Sequence, residues 1–277
     1  MYRFVLILLL AREVKRLKLI ILTTSLRRNG NTERLARLYE QEIRSQASQK
    51  NIPFEVELIP LYQYRIEPCR GCRTCFDRGV EHCPIKDDFP LLLDKMKAAD
   101  GIILACPVYV NDVNGLAKNW IDRMAYACHR PDFFGKYAGL LATIGIGPTN
   151  HALNTMSFAL NSWGYQLVHK TGYKMGALMD KETVREKFHE KIRRDAALMI
   201  RSIERQTHRY PSFMSLAIFK IQQGYWQTHV DDSIDYQYWK EQGWIDPNTT
   251  FYYPIRKSRW VVALARLIGS IIAKFVT

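Results

Sequence analysis

Residues 67–88 read EPCRGCRTCFDRGVEHCPIKDD and hold four of the chain's six cysteines: Cys69, Cys72, Cys75 and Cys83. Their spacing is C-x2-C-x2-C-x7-C, with Pro84 directly after the last thiol. Three closely spaced thiolates can wrap one face of an iron–sulfur cluster while a fourth returns from a loop, and bacterial ferredoxins likewise follow their fourth cysteine with a proline. A single tetrahedral zinc is better served by two separated pairs, because its ligands must come from two directions. A third option needs no metal: thiols that line a pocket or take part in thiol exchange. Six cysteines in 277 residues are too sparse for a disulfide scaffold. Cys106 and Cys128 read as small packing residues, and His82 reads as a surface loop histidine.

A second group of chemistry-bearing residues lies in three polar loops. The first, TSLRRNGNT at 24–32, offers Ser25, Asn31 and Thr32 as hydrogen-bond donors and Arg27 as a cation. Such residues before a helix suit a phosphate held on a helix N-terminus. They also cap helices, although a cap needs one such residue and not a run. No G-x-G-x-x-G follows the preceding strand, which disfavours a dinucleotide held on a Rossmann fingerprint. The loop suits a terminal monophosphate, and flavin mononucleotide (FMN) is the ligand that fits. The second loop, CPVYVNDVNG at 106–115, presents Tyr109 as an aromatic face. The third, TIGIGPTN at 143–150, has glycines that let backbone approach a planar ligand. No Ser-His-Asp arrangement or H-E-x-x-H motif appears, and Lys118 with Asp122 reads as a structural pair on a helix.

These loops need a scaffold, and the chain from Leu17 supplies one. Short apolar runs LKLIILTT, FEVELIP, DGIILAC, AGLLATIGIG and YQLVHKTGY read as buried strands. Between and after them, ERLARLYEQEIRSQA, FPLLLDKMKAA, LAKNWIDRMAYAC, NHALNTMSFALNSWG and KETVREKFHEKIRRDAALMIRSIERQ carry helical periodicity. Asp88 and Pro90 form a good helix start. Five strands alternating with helices predict an α/β fold with a parallel sheet covered on both faces. In such sheets ligands sit outside the carboxyl ends of the strands, where all three loops fall.

Three domain-level segments follow. Residues 1–16 read as an uncleaved N-terminal extension, with a signal anchor as the alternative: the apolar run is too short to span a bilayer, and most of the charge follows it, unlike a signal peptide. Residues 17–207 form the α/β domain, interrupted by the cysteine segment 67–88. Residues 208–277 are aromatic-rich and read as a helical appendage. At its end, RWVVALARLIGSIIAKFVT places Arg259, Arg266, Ser270 and Lys274 on one helical face. That suits packing against the core or a partner subunit, or a helix lying on a membrane surface. The formal charge of +13 permits nucleic acid, an anionic membrane or phosphate-bearing ligands and selects none. No motif assigns a nucleic-acid partner.

The stretch TTSLRRNGNTERLARL resembles the G-S-P-R-x-N-G-N-T loop of the NADPH-dependent FMN reductase-like family, and AADGIILACPVYVNDVNGLAKNWIDRM resembles that family's P-V-Y…K…D-R segment. The likeness covers roughly residues 17–205. Thr24 stands where glycine is usual, and Leu26 where proline is usual. The resemblance implies a flavodoxin-like doubly wound sheet of five parallel strands in the order 2-1-3-4-5, with a helical C-terminal extension. It implies that Ser25, Arg27, Asn31 and Thr32 hold the FMN phosphate. Pro107, Val108, Tyr109 and Asn111 would border the flavin ring, with Thr143, Gly145 and Gly147 on its other side.

The cysteine segment is similar to that of iron–sulfur flavoproteins within the same superfamily. This implies that Cys69, Cys72, Cys75 and Cys83 ligate a 4Fe–4S cluster. Flavin then carries the two-electron chemistry and the cluster passes single electrons. The donors implied are reduced ferredoxin or NAD(P)H, and the assembly a homo-oligomer, cytoplasmic or at a membrane surface. Two other readings stay open: a cluster-free NAD(P)H-dependent FMN or quinone reductase, and a non-catalytic flavodoxin-like electron carrier.

Overall fold

The computed structural model describes residues 16–176, 179–206, 211–255 and 258–276. The N-terminal extension expected over 1–16 lies, apart from its last residue, outside the described residues. The rest divides into two compact units. One holds residues up to 69, 87–124 and 131–206; the other holds 70–86, 125–130 and the described part of 208–277. The cysteine segment and the C-terminal extension, expected as separate features, thus fall largely into one unit.

The strands are β1 (Leu17–Thr23), β2 (Phe54–Pro60), β3 (Gly101–Tyr109), β4 (Asp112–Val113), β5 (Tyr137–Ile144) and β6 (Gln166–Lys174). The helices are α1 (Asn31–Gln49), α2 (Thr74–Asp77), α3 (Phe89–Ala98), α4 (Gly115–Arg123), α5 (Asn150–Ser162), α6 (Lys181–Arg205), α7 (Phe213–Thr228), α8 (Ile234–Glu241) and α9 (Arg259–Val276).

All six strands belong to the first unit. Five are parallel and lie side by side as β2-β1-β3-β5-β6, while β4 pairs antiparallel with β3. The expected five strands in the order 2-1-3-4-5 are therefore corrected to six, and the addition is a two-residue hairpin partner. Val108 faces Val113 and Tyr109 faces Asp112, so Val110 and Asn111 form the whole turn. Both have positive φ, 49° and 67°, as a two-residue hairpin turn requires. Neither is glycine, the usual residue there, which is why the hairpin is hard to see in PVYVNDVNG.

Burial explains the parallel arrangement. β1 is buried from Leu19 to Thr23 and β3 from Gly101 to Val108, as strands covered on both faces must be. One face packs Leu19, Ile21, Ile103, Ala105 and Leu141 against Leu35, Leu38, Tyr39 and Ile43 of α1 and Ile192, Met199, Ile200 and Ile203 of α6. Ile20 and Leu22 alternate to the opposite face and are buried too. Between β6 and helices α1 and α6 sits one polar cluster. The buried Asp195 carboxylate accepts from Thr171 at 2.5 Å and Tyr39 at 3.0 Å, and Tyr39 also meets the Tyr173 hydroxyl at 2.6 Å.

The second unit contains no strand among its described residues. Its interior is aromatic: Phe219 stacks on Trp239 at 5.6 Å, and Trp244 meets Trp239 and Tyr252 edge-on at 5.3 and 4.8 Å. Among the described residues of the whole chain, no helix is long and apolar enough to cross a membrane.

Candidate functional site

β1, β3 and β5 are neighbours in the sheet, so the loops leaving their carboxyl ends share one edge. The register shows how close they run: the Thr24 amide donates to the Ala105 carbonyl at 3.0 Å, and Pro107 lies beside Thr143. Exposed apolar side chains mark the tips of all three loops: Leu26, then Tyr109 and Val110, then Ile146. Val110 is β-branched and left-handed, a conformation that stores strain.

The first loop turns on Ser25. Its hydroxyl is buried and accepts from the Arg27 amide at 3.2 Å. Helix α1 then begins at Asn31 after Gly30, with no side-chain cap. The first-turn amides of a helix have no partner within it, so an uncapped start presents donors and a positive dipole end suited to a phosphate. Arg27 is exposed beside it. The Thr23 hydroxyl at the end of β1 is buried with no hydrogen-bond partner among the described residues. An uncapped helix start and an orphaned hydroxyl at one strand end fit a phosphate-bearing ligand.

Two of the expected phosphate donors are engaged elsewhere. The Thr32 hydroxyl lies 2.6 Å from that of Thr143, both buried, so these two side chains brace α1 against β5. The Asn31 side chain accepts from the Met179 amide at 2.9 Å and donates to the Gly176 carbonyl at 3.4 Å. Gly145 likewise serves the scaffold: a Cβ there would stand 3.2 Å from the Gly176 carbonyl oxygen. Gly147, at φ 118°, takes a backbone conformation open to glycine. Of the expected ring-bordering residues, Pro107 and Val108 are buried in β3, while Tyr109 and Asn111 are exposed.

Asn114 is the residue the sequence reading missed. It is buried, its amide donates to the Thr24 carbonyl at 2.7 Å, and its carbonyl oxygen accepts from the Ala117 amide at 3.3 Å. One side chain therefore caps α4 and ties the second loop to the first. The signal was present: asparagine before a helix start is a favoured cap. The Cys106 thiol lies 3.5 Å from the same oxygen. Burial pushes this thiol up to about 11, against smaller opposing contributions from Thr24 and Asn114, so it stays protonated and packs, as expected.

Asp112 stands in the hairpin. Burial alone would raise its carboxyl, but the Val113 amide, the Thr155 hydroxyl at 2.8 Å and His151 outweigh that and hold it below the usual carboxylate range. Where the chain enters and leaves the cysteine segment, Asp87 and Arg123 form a buried ion pair, with Arg123 also donating to the Glu67 carbonyl at 3.0 Å and the Glu67 amide donating to Asp87 at 2.8 Å. Burial opposes the ionised Asp87, and Arg123 with the Glu67 and Phe89 amides overcomes it, so this carboxyl too titrates low.

Cys69 is the last residue of the first unit before the segment, while Cys72, Cys75 and Cys83 belong to the second. Cys69 and Cys72 are exposed, and Cys75 and Cys83 half-buried. The Thr74 hydroxyl, 3.3 Å away, and the Thr74 amide hold the Cys72 thiol below its ordinary value. The donor set fits an iron–sulfur cluster in kind: four sulfur ligands on mostly irregular backbone. Among the described residues, however, no three His, Cys, Asp or Glu side chains are grouped to hold a metal ion, so the thiols are not preassembled into a cage. Part of this segment is held from a distance in sequence. Asp235 at the start of α8 is buried and pairs with Arg130, whose other nitrogen donates to the Cys75 carbonyl at 2.6 Å. His129 reaches the same carboxylate at 2.7 Å and packs on Phe76 with ring centroids 4.8 Å apart. Lys118 and Asp122 form an exposed ion pair at 2.6 Å, the structural role expected of them.

The chain is similar to several known proteins. An iron-sulfur flavoprotein of Archaeoglobus fulgidus is 29% identical over 234 residues, covering 83% of this chain and all of that protein. One from Methanocaldococcus jannaschii is 40% identical over 107 residues, 39% of this chain and 51% of that protein. Among solved structures, an oxidoreductase from Corynebacterium diphtheriae matches with a TM-score of 0.53 at 16% identity, covering 69% of this chain and 98% of that one. RosB, solved with bound 8-demethyl-8-formylriboflavin-5'-phosphate, matches with a TM-score of 0.51 at 18% identity, covering 88% and 92%. These two likenesses establish the fold. The family model for NADPH-dependent FMN reductase matches residues 17–171, more than half of the chain, and the chain therefore belongs to that family of FMN-binding, flavin-dependent oxidoreductases.

Proposed function

We propose that this chain binds FMN at the carboxyl edge of its sheet and exchanges electrons between that flavin and a 4Fe–4S cluster held by Cys69, Cys72, Cys75 and Cys83. The observation that carries the flavin half is the uncapped start of α1 beside Arg27 and the orphaned Thr23 hydroxyl. There the FMN phosphate would accept from the first-turn amides of α1, and Arg27 would balance its charge. Tyr109 and Asn111 from the hairpin, with Gly145 and Gly147 from the third loop, flank the ring position. Asn114 keeps the first two loops in register, and the Thr32–Thr143 contact fixes the third to the helix. The cofactor supplies the redox chemistry, and these residues supply binding and orientation. NAD(P)H or reduced ferredoxin is the electron donor.

The cluster half is supported by the spacing of the four thiols, their chemistry, and the relatives named iron-sulfur flavoproteins. A cluster-free NAD(P)H-dependent reductase is the second reading, supported by the match to the NADPH-dependent FMN reductase family. Anaerobic purification separates the two. The expected result is a brown protein with FMN and about four iron and four sulfide per chain. Cys72→Ser should lose iron and keep FMN. A yellow, iron-free protein that oxidises NAD(P)H would overturn the cluster, and absence of flavin after reconstitution would overturn the whole reading.

A further inference from the structure

Helix α9 has two faces with different fates. On one, Ala265, Gly269 and Ala273 are buried against α7. A Cβ on Gly269 would stand 2.7 Å from the Ala217 carbonyl oxygen, and one on Gly224 would stand 2.9 Å from the Ala273 Cβ. The two helices therefore touch backbone to backbone through small residues. Arg266, one of the polar residues expected on a single helical face, has a structural role: its guanidinium donates to the carbonyls of Thr249 at 2.8 Å and Pro247 at 2.6 Å.

The other face is apolar and uncovered within the chain's described residues. Trp260, Leu264, Leu267, Ile268, Ile271 and Phe275 are all exposed, Trp260 and Phe275 at 86% each. At 3.6 residues per turn these six fall within an arc of about 100°. Arg259 and Lys274, both exposed, lie at the two ends of the helix on one flank of this arc, Lys274 about 20° and Arg259 about 80° outside it. Residues 247–277 contain no Asp or Glu.

That charge pattern selects the occupant. A second copy laid helix to helix on this face would bring cations together in either direction, with no Asp or Glu in residues 247–277 to meet them. An anionic lipid surface supplies the missing charge. An in-plane helix buries its apolar arc at the acyl boundary, with cations at the headgroups and aromatic rings at the interface. No described helix can cross the bilayer. The chain's net charge of +13 adds long-range attraction to such a surface. We propose that α9 docks the protein flat on an anionic membrane through this arc, with Arg259 and Lys274 on the lipid phosphates.

The test uses the full-length flavin-loaded protein and sedimentation with vesicles of phosphatidylglycerol and phosphatidylcholine, against pure phosphatidylcholine. Binding to the anionic vesicles is expected, weakening as salt rises. The double variant Leu267→Asp, Ile271→Asp, at two exposed positions, should bind about tenfold more weakly or worse with unchanged FMN absorbance and circular dichroism. Should that variant misfold, Arg259→Gln with Lys274→Gln serves instead and should lose the preference for anionic vesicles. No sedimentation, equal sedimentation with both lipids, or variants that bind like the parent would overturn the proposal. So would light scattering that shows a parent dimer which L267D/I271D turns into a monomer, because the occupant would then be a second copy.

Discussion

In the first unit, the core's amides and carbonyls bond to one another along five parallel strands. In the second, which has helices but no strand among its described residues, side chains bond many of the carbonyls between and beyond the helices. The buried Gln223 amide nitrogen lies within 3.0 Å of three carbonyls, those of Trp244, Asp246 and Thr249. Gln227 donates to the Ile245 carbonyl, Trp239 to that of His129 and Gln222 to that of Cys128. Arg130 and Arg266 do the same for Cys75 and for Thr249 and Pro247. Buried backbone groups must be satisfied in either case. A strand ladder is built from consecutive residues and tolerates exchange of individual side chains. The side-chain ladder of the second unit depends on particular residues from three separated stretches, so single substitutions there should act over a wider region.

Asp235→Ala should be the most damaging. It leaves the Arg130 guanidinium buried without its carboxylate, and breaking a buried pair in this way costs about 3–5 kcal/mol. The Arg130 link to the Cys75 carbonyl loosens with it. Limited proteolysis and hydrogen exchange should show protection lost over 70–86 and 125–130, while FMN is retained by the first unit. The contrast between the units fails if the variant loses FMN as readily as it loses protection in the cysteine segment.

The same contrast explains what the sequence disclosed. The strands and helices of the first unit were legible because their residues alternate or recur with a period set by local geometry, as in LKLIILT and FPLLLDKMKA. So were the three loops, because they follow those strands. The hairpin of β3 and β4 was not, since Val110 and Asn111 adopt a turn usually signalled by glycine. Nor was the double duty of Thr32 and Thr143, whose contact spans 111 residues. In the second unit the amphipathic α9 is periodic, but the contacts that tie the unit together are not: Asp235 meets Arg130 across 105 residues, and a polar residue in DDSIDYQYW gives no sign that it is buried. The cysteines were visible as a donor set, but spacing along the chain does not report how a folded loop groups its thiols.

Acid should test the first unit's own polar cluster. Burial drives His169 down to about 4 from the ordinary 6.5, with Arg194 acting the same way and Asp195 opposing. The imidazole stacks 6.1 Å from the Tyr39 ring, and its Nδ1 faces Asp195 and Thr171 at 3.5 Å. Between those two pH values the unfolded chain takes a proton that the folded chain refuses. The neutral ring's contribution is therefore complete above roughly pH 6.5 and is lost as pH falls toward 4, a change of about 3 kcal/mol at most. Urea unfolding followed across that range should show the decline, and His169→Asn should flatten it. An unchanged slope in the variant would assign the acid sensitivity of that range to other groups; the low-titrating Asp87 and Asp112 act below it, as pH falls under the ordinary 3.8.

The smallest expected effect concerns the point where the first unit's regular scaffold meets its loops. Thr143→Val keeps the shape and removes one of two hydroxyls that satisfy each other, leaving Thr32 buried with a donor unspent. The cost should be about 1–2 kcal/mol, and FMN titrated into the apoprotein should bind a few-fold more weakly as the start of α1 loosens. Thr32→Val should do the same. The double variant separates bracing from ligand contact. If the hydroxyls serve each other, removing both costs no more than removing one, because no buried group remains unsatisfied. If each instead donates to bound FMN, the losses in affinity add. An additive result would return Thr32 to the phosphate and Thr143 to the ring, the roles the family resemblance implies, and would mean that the 2.6 Å contact between them opens when FMN binds.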